Sequence, residues 1–326
     1  MNQSILAMAD LATPMAIRVA ATLGLAGHAE GTAAELASAT GTSPPALACL
    51  LDHLVTAGVF AFDAESGRYR PTDLGEQLRS DDAHRLLDIH AAAGRAELAF
   101  TDLLETITTG RAAYERRYGR DFWADIDAEP RLRRSFDAQM NWRFQAQAPQ
   151  IAERFDWSRF PRIVDVGGGD GLVLAEILRA HPALRGAVLD LAPSAAAAAD
   201  RFAAAGLAGR AEAVPGSFFD PLPAGADAYV LSDIIHDWDD DHARSILDGC
   251  RRAAGESGTV VVIEPLRHGT STAINLFMLM CFGGRERTVA ELTDLAAESG
   301  LALRGTTKVS EGRTALEFGA ASEEPA

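Results

Sequence analysis

Apolar positions along this chain follow two rhythms, and the change comes near Phe160. Before it the spacing is helical. Ile5, Met8 and Leu11, then Met15, Val19 and Leu23, recur every three or four residues and predict two helices in 1–27, the second restarting at Thr13-Pro14. Short helices are expected at 33–39 and 44–57, joined through Thr40-Gly41-Thr42-Ser43. A hairpin is expected at 59–62 and 68–70, around the turn 63–67. Helix, helix and hairpin in that order form a winged helix-turn-helix. The stretch 80–155 remains helical and carries many aromatics, among them Phe100, Tyr114, Tyr118, Phe122, Trp123, Phe136, Trp142 and Phe144.

Beyond Phe160, short apolar runs alternate with helical stretches. Arg162–Val166, 186–191, Ala211–Pro215, 227–235 and Thr259–Glu264 predict strands, with helices Leu172–Ala180, 194–205 and Asp240–Ala254 among them. Their apolar residues are consecutive rather than alternating, which marks a parallel sheet covered on both faces. Segments 303–310 and 314–319, split by Glu311-Gly312-Arg313, read as a closing hairpin, and 320–326 as a frayed tail. The expected organisation is an N-terminal helical winged-helix unit over 1–90, a helical connector over 91–155 contributing to a substrate pocket, and an α/β domain over 156–326.

Composition narrows the partners. A formal charge of −16 opposes nonspecific binding to nucleic acid or to anionic membranes. The helix that would enter DNA, 43–57, has no Lys or Arg and carries Asp52, so the winged helix reads as a packing or dimerisation device. The first residues have no basic segment before an apolar core, and no stretch approaches the roughly 18 apolar residues of a membrane span. Cys49, Cys250 and Cys281 lack CxxC spacing and read as small hydrophobes of a reducing compartment, so a cytoplasmic location is expected. Only His236-Asp237 with His242 approaches metal-ligand spacing, and no metal is expected.

Two motifs carry chemistry. The loop Asp165-Val166-Gly167-Gly168-Gly169-Asp170-Gly171 follows a strand, and Leu231-Ser232-Asp233-Ile234-Ile235-His236-Asp237-Trp238 places His236 at the carboxyl edge of another, where open α/β sheets bind ligands. The glycines form GxGxG; the dinucleotide fingerprint needs a further glycine where Leu172 stands. Asp170 would repel a pyrophosphate at the helix start but can face a cationic ligand. Asp190, ending the next strand, can accept both hydroxyls of a ribose. S-adenosylmethionine (SAM) meets these conditions, being an adenosine with a sulfonium cation and no phosphate.

Together with Gly216-Ser217-Phe218-Phe219-Asp220-Pro221-Leu222-Pro223 and Gly283-Gly284-Arg285-Glu286-Arg287-Thr288, these motifs span nearly the whole chain in order. In that order and spacing the chain resembles the small-molecule O-methyltransferase family of plant caffeate-type, hydroxyindole and bacterial polyketide enzymes. The resemblance implies a Rossmann-like, seven-stranded class I methyltransferase sheet. It also implies an N-terminal domain that makes a homodimer and covers a neighbour's active site. Gly167, Gly168 and Gly169 would line the methionine and ribose of SAM, Asp190 would hold the ribose hydroxyls, Ser217 and Phe218 would flank the adenine, and Ser232 would lie near the cofactor. His236 matches the family's general base, and Glu264 and Glu286 match the carboxylates that flank and orient it.

Three positions depart from the family pattern: Ser217 and Asn275 stand where relatives often carry Asp, and the connection 265–272 is short, which would leave the acceptor pocket more open. The implied acceptor is an aromatic hydroxyl of a secondary metabolite, with pKa near ~10, which a neutral histidine can deprotonate as the oxygen attacks. Two other readings stand beside it. The same fold can hold SAM while performing a hydroxylation, decarboxylation or rearrangement, and a winged helix can belong to a ligand-responsive regulator. Trp238, Met278 and Met280 read first as core.

Overall fold

The computed structural model describes residues 4–267 and 272–321. The chain forms two units, Met1–Leu98 with Trp123–Gln139, and Ala99–Phe122 with Met140–Ala326, so the helical stretch 91–155 belongs partly to each. The expected tail beyond Ala321, and residues 268–271 of the short connection, lie outside the described residues.

In the first unit, helices Ala33–Thr40 and Pro44–Thr56 lead into an antiparallel hairpin, β1 (Phe60–Asp63) and β2 (Arg68–Pro71). Thr32 and Glu35 form a reciprocal capping box that starts the first of these helices, and Gly41 ends it in a left-handed conformation. Leu36, Leu47, Leu51, Leu54, Val59 and Phe60 are the apolar faces brought together as a core. Asp52, the acid that opposes a DNA-reading role, accepts a 2.7 Å hydrogen bond from the Tyr69 hydroxyl and so ties helix to wing. The reading of the N-terminus needs one correction. Ile5–Thr22 is 18 residues long and apolar enough by composition to cross a membrane, because alanines fill the gaps between its larger side chains. It is interrupted, however: Ile5–Met8 and Ala12–Thr22 are separate helices, and the Asp10 carboxylate accepts from the Ala12 and Thr13 amides at 2.9 and 3.0 Å to start the second.

The second unit is built on a seven-stranded sheet. Its strands are β3 (Arg162–Val166), β4 (Arg185–Asp190), β5 (Ala211–Pro215), β6 (Ala228–Ser232), β7 (Thr259–Glu264), β8 (Leu301–Ser310) and β9 (Arg313–Ala320), in spatial order β5-β4-β3-β6-β7-β9-β8. The first five are parallel, and β9 enters antiparallel to β7 with β8 outside it. The central strands are buried along almost their whole length, as their continuous apolar runs require. Ile163, Val188, Val230 and Val261 meet Leu174, Leu178 and Phe202 on one face. Val164, Leu189, Leu231 and Val262 meet Ile246, Leu247 and Leu292 on the other.

The strand expected over 227–235 ends early, at Ser232. The ladder to β7 runs out at the Ser232–Ile263 pair, and the chain turns at Asp233, whose φ of 54° is the one positive value of a non-glycine among the described residues. Ile234 and Ile235 resemble strand residues in sequence, but their amides are taken by the Glu264 carboxylate instead of a neighbouring strand. His236 therefore lies in a short 3-10 turn, Ile235–Asp237, beyond the strand end.

Candidate active site

The reversal of strand order between β3, β4 and β6 opens a crevice at the carboxyl edge, where both motifs converge. The glycine loop leaves β3 with Gly167 and Gly169 at φ of 74° and 59°, conformations that side-chain-bearing residues rarely adopt. Close approach adds to the requirement. A Cβ at Gly168 would lie 2.5 Å from an Asp165 carboxylate oxygen, and one at Gly167 would lie 2.6 Å from Ile234 of the histidine motif. The Phe218 ring would be 3.3 Å from that same Gly167 position, so three of the sequence motifs meet there.

Asp190, ending β4, accepts from the Gly169 amide at 2.8 Å and from the Leu191 amide at 2.7 Å, which locks the loop against the strand. Ser217 Oγ accepts from the Phe219 amide at 3.1 Å. Ser232 Oγ and both Asp165 carboxylate oxygens are buried without a hydrogen-bonding partner among the described residues. Burial, with Asp190 nearby, pushes the Asp165 carboxyl up to about 7. Asp170 departs from expectation. Its carboxylate accepts from Asn141 at 2.6 Å and pairs with Arg201, so it pins the loop rather than facing a ligand cation.

His236 is 4% exposed. Its Nδ1 lies 2.5 Å from Glu264 Oε2, off the line of a fully formed hydrogen bond, and its Nε2 lies 3.4 Å from Asp237 Oδ1. The other Glu264 oxygen accepts from the Ile234 and Ile235 amides at 3.1 and 2.7 Å. One carboxylate thus shapes the turn and faces the ring it carries. Burial alone would lower the His236 pKa, but Glu264, Asp237 and Asp233 overcome it and raise it to about 9. Asp237 is pushed up to about 7, by burial first and by the neighbouring acids, against the pull of His236.

Glu286 is buried, its amide donates to Asn275 Oδ1 at 2.8 Å, and its charge is felt by Arg313. Asn275 is thus built into the backbone of the very loop that carries Glu286. Next along, Arg287 donates to the Ile235 and Trp238 carbonyls, each at 2.9 Å, and to Asp240. Sequence reasoning did not single out Asp165, Asp233, Arg287 or Arg313. The following helix is capped by Asp239, which accepts from the His242 amide at 2.9 Å, and not by Asp237. His242, the expected third member of any metal set, also turns its Nδ1 to Asp239. Instead, ring and carboxylate atoms of Asp233, His236 and Glu264 lie within 4.8 Å of one another. Those are metal-binding residue types, but Arg313 and Arg143 already bring positive charge to Asp233.

The model of the O-methyltransferase domain matches residues 100–302, and that of the O-methyltransferase dimerisation domain matches residues 6–81. The chain belongs to the O-methyltransferase family. This O-methyltransferase is 50% identical over 312 residues to the 2,7-dihydroxy-5-methyl-1-naphthoate 7-O-methyltransferase of Streptomyces carzinostaticus, covering 93% of this chain and 94% of that one. It is also 42% identical to the aclacinomycin 10-hydroxylase of Streptomyces purpurascens, covering 98% of this chain and 90% of the relative. Among solved structures, it superimposes with a TM-score of 0.92 on an O-methyltransferase of neocarzinostatin biosynthesis in complex with SAM and 2-hydroxy-5-methyl naphthoic acid, at 48% identity over 98% of this chain and all of the other.

Proposed function

We propose that this SAM-dependent O-methyltransferase methylates a phenolic hydroxyl of a fused-ring aromatic natural product, with His236 as the general base. The observation that carries the reading is the buried His236–Glu264 pair, set on a turn that packs against the glycine loop. The chain fits the cofactor on its own chemistry: Ser232 Oγ and the Asp165 carboxylate are buried groups in want of partners, and the space beside Gly169 is open. Gly167, Gly168, Gly169, Asp190, Ser217, Phe218 and Ser232 would hold it, with Asp165 beneath. When bound, SAM supplies an electrophilic methyl on a sulfonium.

The remaining work falls to the chain. The acceptor oxygen must be held in line with the methyl carbon, which removes much of the entropic barrier. His236 takes the hydroxyl proton at a ring nitrogen, a contribution of roughly 10²–10⁴-fold. Glu264 is a positioning residue: it fixes the ring's orientation and stabilises the imidazolium once the proton has moved, as the acid of a triad does. Glu286 is assigned a supporting role: its buried charge is felt by Arg313, and Asn275 holds its backbone amide. We place the acceptor among naphthoate-like phenols because the relatives of high identity include a naphthoate O-methyltransferase. The dimerisation-domain match supports a homodimer.

Replacing His236 by Ala is expected to remove most turnover of a dihydroxynaphthoate while sparing SAM binding by calorimetry; an undiminished rate would refute the base. A non-methylating reaction is kept as a second reading by the hydroxylase relative. Methyl-labelled SAM separates the two, since label must appear in the product if the transfer occurs.

A further inference from the structure

We propose that Asp233 and Arg313 form a buried positioning pair that fixes the corner before His236 and balances the charge its ring experiences. Asp233 occupies the left-handed corner between β6 and the His236 turn, a backbone state that Asp and Asn tolerate best among side-chain-bearing residues. Its amide donates to the Ile263 carbonyl at 2.9 Å, and its carboxylate is almost fully buried. Arg313, at the start of β9, reaches it with a guanidinium fork. Nε donates to Asp233 Oδ1 at 2.6 Å, Nη2 donates to Oδ2, and Nη1 donates to Gln147. The same guanidinium lies 5.0 Å over the Phe144 ring, and Arg143 approaches Asp233 at 3.5 Å.

Three acids therefore face His236: Glu264 from β7, and Asp233 and Asp237 from its own segment. Arg313 and Arg143 pair directly with Asp233; Arg143 is also felt by Asp237, and Glu264 by Arg313. The other groups close to this cluster are Glu286, which acts on Arg313, Cys281, which lies near Asp237, and Arg287, which holds the Ile235 carbonyl. Burial works against the Asp233 carboxylate, yet Arg313 and Arg143 hold it at about 2, so the pair stays ionised across the working range. A third uncompensated acid beside the ring would hold its proton more tightly. Arg313 prevents that and leaves the base able to turn over.

The pair makes predictions of opposite sign. Asp233→Asn keeps the corner and the shape but leaves Arg313 unbalanced, so the His236 midpoint falls by about one pH unit. Arg313→Gln leaves Asp233 unbalanced, and the midpoint rises by about one unit. The double variant returns close to wild type, and Arg313→Lys, which keeps the charge but loses the fork, holds the midpoint while lowering kcat. The measurement is an NMR titration of His236 in the ligand-free enzyme, assigned by comparison with His236→Ala, alongside the pH profile of kcat/KM. Unmoved midpoints, or shifts of the same sign, overturn the inference. Either single change leaves a buried charge unpaired. Should neither fold, Arg143→Gln, at a less buried side chain, serves the same test: its midpoint rises, and an unmoved one overturns the proposal. The inference rests on His236 as the base, and the two fail differently. An active His236→Ala enzyme removes the base while the titration still reports on the pair. A dead His236→Ala enzyme with unmoved midpoints removes the pair alone.

Discussion

A histidine surrounded by acids holds its proton tightly, and His236, the proposed base, shows what that costs and what it provides. With its pKa raised to about 9, the ring is mostly protonated at pH 7 in the free enzyme. In exchange, its proton affinity approaches that of a phenol near ~10, so the transfer runs nearly level rather than uphill. With the neutral ring as the proposed base, kcat/KM is expected to rise with pH, about tenfold per unit, and to level off near 9. A profile already flat from pH 6.5 would contradict the raised value. Glu264→Gln removes the strongest of the raising charges while an amide oxygen can still accept from Ile234 and Ile235. The rising limb should therefore move to lower pH as kcat falls by roughly 10²–10⁴-fold, since the imidazolium loses its counter-charge. That His236 and Glu264 would stand together was legible from sequence, one by its strand-edge motif and the other through family resemblance. Asp233 and Asp237 were not, because their importance comes from burial around the ring, and an acid beside a histidine in sequence is as easily a helix cap.

The strand-to-turn element carrying His236 is held from three directions: by Glu264 from below, by Arg287 at its carbonyls, and by close packing at Gly284. A Cβ at Gly284 would stand 2.2 Å from the His236 carbonyl oxygen, a backbone atom that cannot swing aside. Gly284→Ala is expected to cost about 1–3 kcal/mol, as overpacked positions do, and to lower kcat disproportionately because the displaced atoms belong to the base's own residue. Thermal unfolding together with steady-state kinetics checks both. The useful contrast is Asp239→Ala, which removes the cap of helix Asp240–Ala254. That loss should cost about 1 kcal/mol with little change in kcat. If the two variants impaired turnover equally, the packing at Gly284 would have no special connection with the site. At this scale β3 and β7 were readable because each is a largely apolar run with polar flanks. The end of β6 was not, since Ile234 and Ile235 extend the apolar run while a carboxylate 29 residues downstream takes their amides.

At the scale of the whole molecule, a formal charge of −16 works against the homodimer proposed from the dimerisation-domain match. Like charges on two copies repel, so an interface that forms anyway needs apolar contact to overcome them. The N-terminal helices offer such contact: Ile5, Leu6, Met8 and Leu11 are 66–81% exposed, within or beside the stretch that matches the dimerisation domain. Scattered apolar residues on a surface are ordinary, but four within seven positions form a patch. Leu6→Glu with Leu11→Glu is expected to yield monomers in sedimentation velocity with the Tm nearly unchanged, since neither side chain is buried within its own chain. Salt supplies a second, independent check. If apolar contact holds the copies together against net repulsion, raising the salt from 0.05 to 0.5 M screens the repulsion and tightens the wild-type dimer. If ion pairs held it, the same salt would loosen it. A dimer that weakens with salt and survives both glutamates would place the interface elsewhere on the chain.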